Sequence, residues 1–231
     1  MILHGYWRSG AAYRVRIGLN LKGVAYQQTS VHLLKNGGEH NSAAYKALNP
    51  QRRVPTLELD DGTAIIQSSA ILEYLEEAYP TPALLPTDSK ARARVRGMAA
   101  LIGSDIHPLG NLGPLNYLRS QFGADTPAVK AWVGKWVGQG FAGLEAMLDG
   151  GDFCVGQSPT LADVYLIPQV FGAQRNDVPL DAYPKIMRVA AHCATLEAFQ
   201  KAAPSAQPDA EAKADPVFAK SGNVACYQQL R

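Results

Sequence analysis

A serine at the junction of a predicted strand and a predicted helix is the residue of this sequence with the clearest potential for chemistry. Residues 1–6 are typical of a short strand, and residues 11–22 carry apolar side chains at helical spacing. Ser9 lies in the turn between them, where the first N–H groups of a helix have no intrahelical partner and the helix dipole favours negative charge. Such a position can hold an anion, including a thiolate. Serine is also a preferred helix cap, so the turn by itself leaves both functions open.

Two further positions could bind a ligand through the backbone. Pro55 precedes a predicted strand, which is unusual unless the Val54–Pro55 peptide bond is cis or the backbone there faces a ligand. The Val54 backbone could then pair with an extended peptide in the manner of an added strand. Gln67 and Ser68 mark a second strand-to-helix turn, where N–H groups can bind an anion. The three positions therefore suit a thiolate, a peptide backbone and a carboxylate.

These residues require a small sheet flanked by helices to position them. Turn residues, β-forming runs and helical spacing predict the order β-α-β-α-β-β-α over residues 1–80. Three prolines within seven residues indicate a linker at 81–87. Strand signals nearly vanish beyond it, so residues 88–204 are expected to form an all-helical domain. Residues 205–231 form a tail without clear periodicity.

Within the expected helical domain, Thr160 and Asp163 have the spacing of a capping box. The apolar segment that follows them predicts a buried helix over residues 161–174. We therefore interpret this box as the structural start of a core helix.

The composition is that of a globular protein with a sizeable core. Of the 231 residues, 47% are hydrophobic and 18% are charged, and the net charge is +2. This balance indicates neither a nucleic-acid surface nor a membrane surface, and the apolar runs are far below the length of a membrane span. The three cysteines are widely spaced, which is typical neither of a disulfide framework nor of a metal site. With no signal-peptide pattern at the N-terminus, we expect a cytoplasmic protein that holds no metal.

Taken together, these features resemble the soluble glutathione transferases, which have a thioredoxin-like α/β N-terminal domain and an all-α C-terminal domain. The resemblance is narrower with the zeta class, the maleylacetoacetate and maleylpyruvate isomerase family, and it covers residues 1–204. The segments that carry it are Arg8-Ser9-Gly10, Arg14-Val15-Arg16-Ile17, Asn49-Pro50-Gln51, Val54-Pro55, Ile66-Gln67-Ser68, Glu73-Tyr74-Leu75, the run from Ile106 to Leu112, and Pro168-Gln169-Val170 with Arg175. Many zeta members carry Ser-Ser-Cys where this chain has Ser9-Gly10-Ala11.

The resemblance implies a role for each matching residue. Ser9 would donate its hydroxyl to the sulfur of glutathione, and Arg8 and Arg175 would bind substrate carboxylates, for which the planar guanidinium is well suited. Asn111 is implied in substrate binding. The other residues implied in glutathione binding are Val54 for the cysteinyl backbone, Gln67 and Ser68 for the γ-glutamyl carboxylate, Gln51 and His40 for the glycyl end, and His107.

Several basic and aromatic residues have structural interpretations instead. Arg14 and Arg16 are expected to be charges on a helix face rather than ligands, because exposed pairs contribute little. Tyr6 lies inside the predicted strand and is expected to pack there rather than reach the sulfur. His107 precedes Pro108 at a helix break, so a purely structural role stays open for it.

The activity implied by the resemblance is glutathione-dependent cis–trans isomerisation of maleylacetoacetate or maleylpyruvate in the catabolism of aromatic compounds. A thiolate stabilised by Ser9 would add to the cis double bond, the adduct would rotate, and elimination would return glutathione unchanged. The expected partners are glutathione as cofactor, a dianionic small-molecule substrate and a second copy of the chain in a homodimer. Two alternatives stay open: a general glutathione transferase or α-haloacid dehalogenase, and a non-enzymatic glutathione-binding protein.

Overall fold

The structure of the protein, a computed structural model, describes residues 1–211, and these residues form two compact units. The first unit contains Met1–Ala83 together with the chain from Leu196 to the end of the described part. The second unit contains Leu84–Thr195.

The first unit is built on a mixed four-stranded sheet with the strand order β2-β1-β3-β4. Strand β1 pairs in parallel with β2 and antiparallel with β3, and β3 pairs antiparallel with β4. The strands are β1 (Ile2–Gly5), β2 (Gln27–Ser30), β3 (Thr56–Glu58) and β4 (Ala64–Ile66), and the helices among them are α1 (Gly10–Leu21), α2 (Ala43–Leu48) and α3 (Ser68–Ala78). The order along the chain confirms the predicted thioredoxin-like arrangement.

Helices α1 and α3 pack closely against each other and against the sheet. The shared core consists of Leu3, Val15, Leu19, Leu57, Ile71 and Leu75, all of them fully buried. A Cβ atom added to Gly18 would lie 2.4 Å from the Cδ2 atom of Leu72, so a side chain at this position of α1 would require Leu72 to move. This packing fixes the start of α1, and with it the Ser9 turn, relative to the sheet.

The C-terminal part of the described chain packs on α1. The Arg16 guanidinium donates to the Ala202 carbonyl, and the Asn20 amide donates to the Ala198 carbonyl, both at 2.9 Å. Helix α9 (Glu197–Ala202) therefore lies with the first unit, whereas the sequence pattern assigned residues 196–204 to the helical domain. The pattern identifies a helix there but carries no information about which unit covers its apolar face. Of the predicted tail, residues 212–231 lie outside the described part.

Arg14 and Arg16 are not charges on an exposed face, so that expectation was wrong. Their exposed fractions are 2% and 0%. Arg16 follows Ala12 by one helical turn and precedes Leu19 by one, so it belongs to the apolar stripe of α1. Burial of this kind requires polar partners, and the carbonyl of Ala202 supplies one of them.

The described second unit consists of helices and turns, which confirms its predicted all-helical class. Its helices are α4 (Ser89–Ala100), α5 (Leu112–Phe122), α6 (Thr126–Met147), α7 (Leu161–Arg175) and α8 (Pro184–Cys193). Helix α4 continues into a π-helical segment, Leu101–Ile106, and then a 3-10 turn, His107–Gly110. Among the helices of residues 1–211, none is both long and apolar enough to cross a membrane.

The capping box at the start of α7 forms as predicted. Asp163 is fully buried, and one of its carboxylate oxygens accepts from the Thr160 N–H at 2.8 Å. The other oxygen accepts from the Cys154 N–H at 2.8 Å, which ties the preceding loop to the helix. The box therefore anchors a loop as well as a helix end.

Candidate active site

Ser9 is the N-cap of α1. Its Oγ accepts a hydrogen bond from the Ala12 N–H at 3.2 Å, and its own N–H donates to the Tyr6 carbonyl at 2.9 Å. A hydroxyl group has one donor and two acceptor positions, so capping uses a lone pair and leaves the Ser9 O–H able to donate. Capping and anion binding, which the sequence left as alternatives, are therefore compatible in one residue.

Arg8 lies in the same turn and is half-buried. Its guanidinium carbon is 5.9 Å from the centre of the Tyr6 ring and 5.5 Å from that of the Trp7 ring. These aromatic faces hold the cation beside Ser9 by a cation–π interaction. Tyr6 itself is buried, at 4% exposure, as its position in the strand indicated.

Gln67 and Ser68 begin α3 directly after strand β4. Gln67 has a φ of 72°, a left-handed conformation that costs a non-glycine residue about 1–3 kcal/mol. Its side chain does not cap the helix, while Ser68 is buried at 8% exposure. The first N–H groups of α3 are thus not capped by the residue that precedes them, and this end of the helix dipole favours an anion.

Gln51 is brought to Gln67 by the fold. The Gln67 side-chain amide donates to the Gln51 side-chain carbonyl at 2.6 Å. The segment between Gln51 and Val54 is held because the Arg53 carbonyl accepts from the Tyr45 hydroxyl at 2.7 Å and from the Asn49 amide at 2.8 Å. Two of the predicted residues, 16 positions apart in the chain, are therefore in contact.

Val54 precedes a cis peptide bond to Pro55, which is one of the two geometries that the sequence allowed. Val54 is half-buried, and strand β3 begins two residues later at Thr56. The Tyr45 hydroxyl lies 3.0 Å from the Thr56 hydroxyl, so the start of the strand is anchored from α2.

His40 lies in a short 3-10 turn, Glu39–Asn41. Burial lowers the pKa of His40, and the positive charge of Arg52 lowers it further. Its Nδ1 atom is buried and has no hydrogen-bond partner among residues 1–211. The Arg52 guanidinium, which sequence reasoning did not single out, is thus an additional cation beside His40.

The second unit contains the other three predicted residues. His107 opens the 3-10 turn that follows the π-helical segment, and Asn111 is the N-cap of α5 without a side-chain capping bond. Arg175 is the last residue of α7 and is half-buried. A π-helical segment next to a broken helix is a common feature of functional sites.

Two residues that contact the backbone of the Ser9 turn were missed by sequence reasoning. The Arg16 guanidinium donates to the Trp7 carbonyl at 2.9 Å, and the Asp209 carboxylate accepts from the Trp7 N–H at 3.2 Å. Arg16 could have been found from its place on the apolar stripe of α1. Asp209, 202 residues away in the chain from Trp7, carries no local signal.

Comparison with known proteins gives consistent results. Residues 8–78 match the family described as the N-terminal domain of glutathione S-transferase. Maleylacetoacetate isomerase of Pseudomonas aeruginosa is 54% identical over 212 residues, which cover 92% of this chain and 100% of that protein.

Solved structures of maleylpyruvate and maleylacetoacetate isomerases are also similar to this chain. The holo structure of a bacterial maleylpyruvate isomerase, described as a zeta-class glutathione S-transferase, has a TM-score of 0.88 and 52% identity, and covers 91% of this chain and 100% of its own. Maleylacetoacetate isomerase of Anaeromyxobacter dehalogenans with bound glutathione has a TM-score of 0.81 and 44% identity, and covers 91% and 97%.

A mixed sheet of this topology, a serine-capped first helix and a helical second unit together define a glutathione transferase fold. The chain belongs to the zeta class of that superfamily, the family of the maleylacetoacetate and maleylpyruvate isomerases.

Proposed function

We propose that this protein is a glutathione-dependent cis–trans isomerase that acts on a maleyl-substituted dianion, maleylacetoacetate or maleylpyruvate. The observation that carries the proposal is the geometry of Ser9, whose hydroxyl caps α1 through a lone pair and keeps its proton for a sulfur. The relatives that share most of this chain's length are named for these two isomerisations, whereas conjugation or dehalogenation is supported by no separate observation.

The residues of the first unit fit glutathione. The uncapped start of α3 at Gln67 and Ser68 suits a carboxylate, and the backbone before Pro55 suits an extended peptide. The half-buried His40 imidazole beside the Arg52 cation suits the second carboxylate at the glycyl end. When bound, glutathione supplies the nucleophilic thiol through which a cis double bond can be isomerised.

Ser9 and Arg8 are the residues that we assign to the reacting end of the ligand. The Ser9 hydroxyl donates to the sulfur and favours the thiolate over the thiol, whose pKa in free cysteine is about 8.5. Arg8, held over Tyr6 and Trp7, offers a cation in the same turn. Its charge stabilises negative charge that develops on the substrate as the sulfur is added.

Arg175 and Asn111 are the residues that we assign to the substrate. The Arg175 guanidinium can bind a carboxylate through two parallel hydrogen bonds, and its place at the C-terminus of α7 favours a cation. The Asn111 side chain makes no capping bond at the start of α5 and so can donate to a ligand oxygen. His107, four residues earlier, is assigned to glutathione.

We further assign the protein to the cytoplasm, to the catabolism of aromatic compounds and to a homodimer. Helix α3 presents the exposed carboxylate of Glu77, while the start of α4 presents the exposed cations Lys90 and Arg92. Opposite charges on two surfaces of one chain are suited to a two-fold assembly, in which each surface of one copy meets the other surface of its partner.

The proposal is tested by following maleylacetoacetate and maleylpyruvate spectrophotometrically, with and without glutathione, while free thiol is measured in the same samples. We expect the fumaryl isomer to form only with glutathione and the thiol concentration to stay constant. Loss of one thiol per product would instead identify a transferase or dehalogenase. Equal rates without glutathione would contradict the proposal.

A further inference from the structure

The two peptide groups that flank Trp7 are each held by a charged side chain. The Trp7 N–H donates to the Asp209 carboxylate at 3.2 Å, and the Trp7 carbonyl accepts from the Arg16 guanidinium at 2.9 Å. Trp7 is fully buried and lies two residues before Ser9. The backbone that enters the Ser9 turn is therefore held on both sides by contacts outside the turn.

Both charged groups are connected to one segment, residues 202–211, which we name the C-terminal strap. Arg16 donates from Nε to the Ala202 carbonyl, and Asp209 belongs to the strap itself. The Asp209 oxygen that accepts from Trp7 also accepts from the Ser30 hydroxyl at 2.7 Å. Burial lowers the pKa of Arg16 to about 10, with Asp209 among the groups that oppose this shift, so the guanidinium stays charged at neutral pH.

A second attachment joins the strap to the loop that leads to His40. The Glu211 carboxylate pairs with the Lys35 ammonium and lies 3.3 Å from Nε2 of His32. Nδ1 of His32 accepts from the N–H groups of Leu34 and Lys35, so Nε2 carries the ring proton and faces the carboxylate. The strap thus contacts both the Ser9 turn and the loop before His40.

We propose that the C-terminal strap positions the Ser9 turn and that Asp209 is the positioning residue. This inference rests on the proposed function, because its effect on chemistry passes through the Ser9 hydroxyl and the thiol of glutathione. A hydrogen bond weakens steeply as its geometry departs from the optimum. If the Trp7 peptide is released, the Ser9 hydroxyl spends less time within reach of the sulfur, and the thiolate loses stabilisation.

Positioning and direct electrostatics predict opposite results at Asp209. A carboxylate near the sulfur disfavours the thiolate by its charge alone, so its removal would lower the pKa of the thiol. Loss of positioning would instead raise that pKa. The sign of the change therefore separates the two explanations.

The test compares Asp209→Ala, Asp209→Asn and, as a matched control, Glu197→Gln, which removes an exposed ion pair with Lys201 on α9. The pKa of the thiol in the complex is followed by thiolate absorbance, and KM for glutathione is measured separately from kcat. We expect Asp209→Ala to raise KM about 3- to 10-fold and to raise the thiol pKa. Asp209→Asn, which can still accept from Trp7, should restore KM to within about twofold, and Glu197→Gln should change neither value.

An Asp209→Ala protein that folds and shows an unchanged or lowered thiol pKa would overturn the inference. If that variant does not fold, Asp209→Glu keeps the charge and lengthens the side chain, and an unchanged thiol pKa in this variant would be equally decisive against positioning. Amide hydrogen exchange over residues 7–12 tests the strap without glutathione, and Asp209→Ala should accelerate exchange there relative to α6. Calorimetry of glutathione binding to the unaltered protein tests the proposed function separately. A failure of the proposed function can therefore be distinguished from a failure of the positioning role of the strap.

Discussion

Ser9 combines two tasks that are usually assigned to different residues. As the N-cap of α1 it stabilises the helix, and with the remaining O–H it can stabilise a thiolate. A substitution at this position therefore changes both stability and chemistry, and a matched cap elsewhere is needed to separate them. Ser42 offers this control, because its Oγ accepts from the Tyr45 N–H at 3.2 Å, the same distance as at Ser9.

Ser9→Ala is expected to raise the pKa of the glutathione thiol and to lower kcat/KM at neutral pH. Each of Ser9→Ala and Ser42→Ala should lower the free energy of unfolding by about 1 kcal/mol, because each removes a cap. Only Ser9→Ala should impair turnover, as measured in the isomerase assay. Equal activities of the two variants would refute the role of the Ser9 hydroxyl.

The protonation of His40 makes the stability of the folded protein depend on pH, and the surroundings of His40 set the sign of that dependence. Burial, and then the charge of Arg52, lower the pKa of His40 below its usual 6.5, so the folded protein resists protonation there. Its contribution to stability is lost as the pH falls through 6.5 towards the lowered folded value, because the unfolded chain binds the proton first. A bound glycyl carboxylate would reverse this shift by stabilising the imidazolium.

S-methylglutathione, which has no ionisable thiol, is therefore expected to bind more tightly as the pH is lowered through this range. His40→Gln should remove the pH dependence while leaving binding at higher pH within about threefold, since one hydrogen bond is altered. Isothermal titration calorimetry at several pH values measures the affinity for S-methylglutathione and its dependence on pH. If the affinity of His40→Gln changed with pH as steeply as that of the unaltered protein, another group would be taking up the proton.

Arg175→Lys is expected to raise KM for the dianionic substrate about tenfold, because an ammonium retains the charge but lacks the planar two-point fork of the guanidinium. KM for glutathione should stay unchanged. Arg188→Lys provides the control, because Arg188 is exposed and pairs with Asp152 at 3.4 Å. A change in KM for glutathione instead of the substrate would contradict the assignment of Arg175.

At the scale of elements, the start of each helix is the feature that local sequence controls best. Ser9, Ser42, Asp88, Asp125 and Thr160 all accept from an N–H in the first turn of the helix that they cap. Helix α5 was not among the sequence predictions, and Gly113 and Pro114 lie in its first turn. Proline is tolerated there because the first turn has no intrahelical donors to lose.

Asp163→Asn is expected to lower the free energy of unfolding by about 2–3 kcal/mol. Both oxygens of Asp163 accept from donors, Cys154 N–H on one and the Thr160 N–H and hydroxyl on the other, so an amide NH₂ would face a donor in either orientation. Asp88→Asn at an exposed cap should change stability by less than about 0.5 kcal/mol, because asparagine caps equally well. Chemical denaturation compares them, and similar losses would be inconsistent with this explanation.

At the scale of the whole molecule, the two units supply different kinds of groups. The first unit provides Ser9, helix N-termini and the half-buried backbone at Val54, which suit a peptide ligand with two carboxylates. The second unit provides Arg175 and Asn111, which suit a small anion. This division of chemical types agrees with glutathione as one ligand and a separate anionic substrate as the other.

A homodimer is expected in solution, with a mass about twice the 24.8 kDa of one chain. Light scattering coupled to size-exclusion chromatography measures this mass directly. If α3 and α4 pair through opposite charges, the dimer should weaken as salt rises, because exposed charges are screened. A mass of one chain at every concentration would rule out the proposed assembly.

The sequence alone predicts the order of strands and helices over residues 1–80, the capping box at Thr160 and the location of Ser9 in a strand-to-helix turn. These features depend on residues within a few positions of one another, through apolar periodicity, capping and turn preferences. The burial of Arg16 was predicted wrongly, because its charge was given more weight than its place in the apolar stripe of α1.

Which partners those elements meet depends on the packing of the whole chain. The bonds from Arg16 to Ala202 and from Trp7 to Asp209 join residues 186 and 202 positions apart, and the Gln51–Gln67 contact depends on two loops folding together. A contact over such a separation leaves no periodic or local trace in the chain, because its geometry is set by the packing of everything between its ends. For that reason the sequence could indicate candidate residues for glutathione binding, but it could not indicate that the C-terminal strap contacts the Ser9 turn.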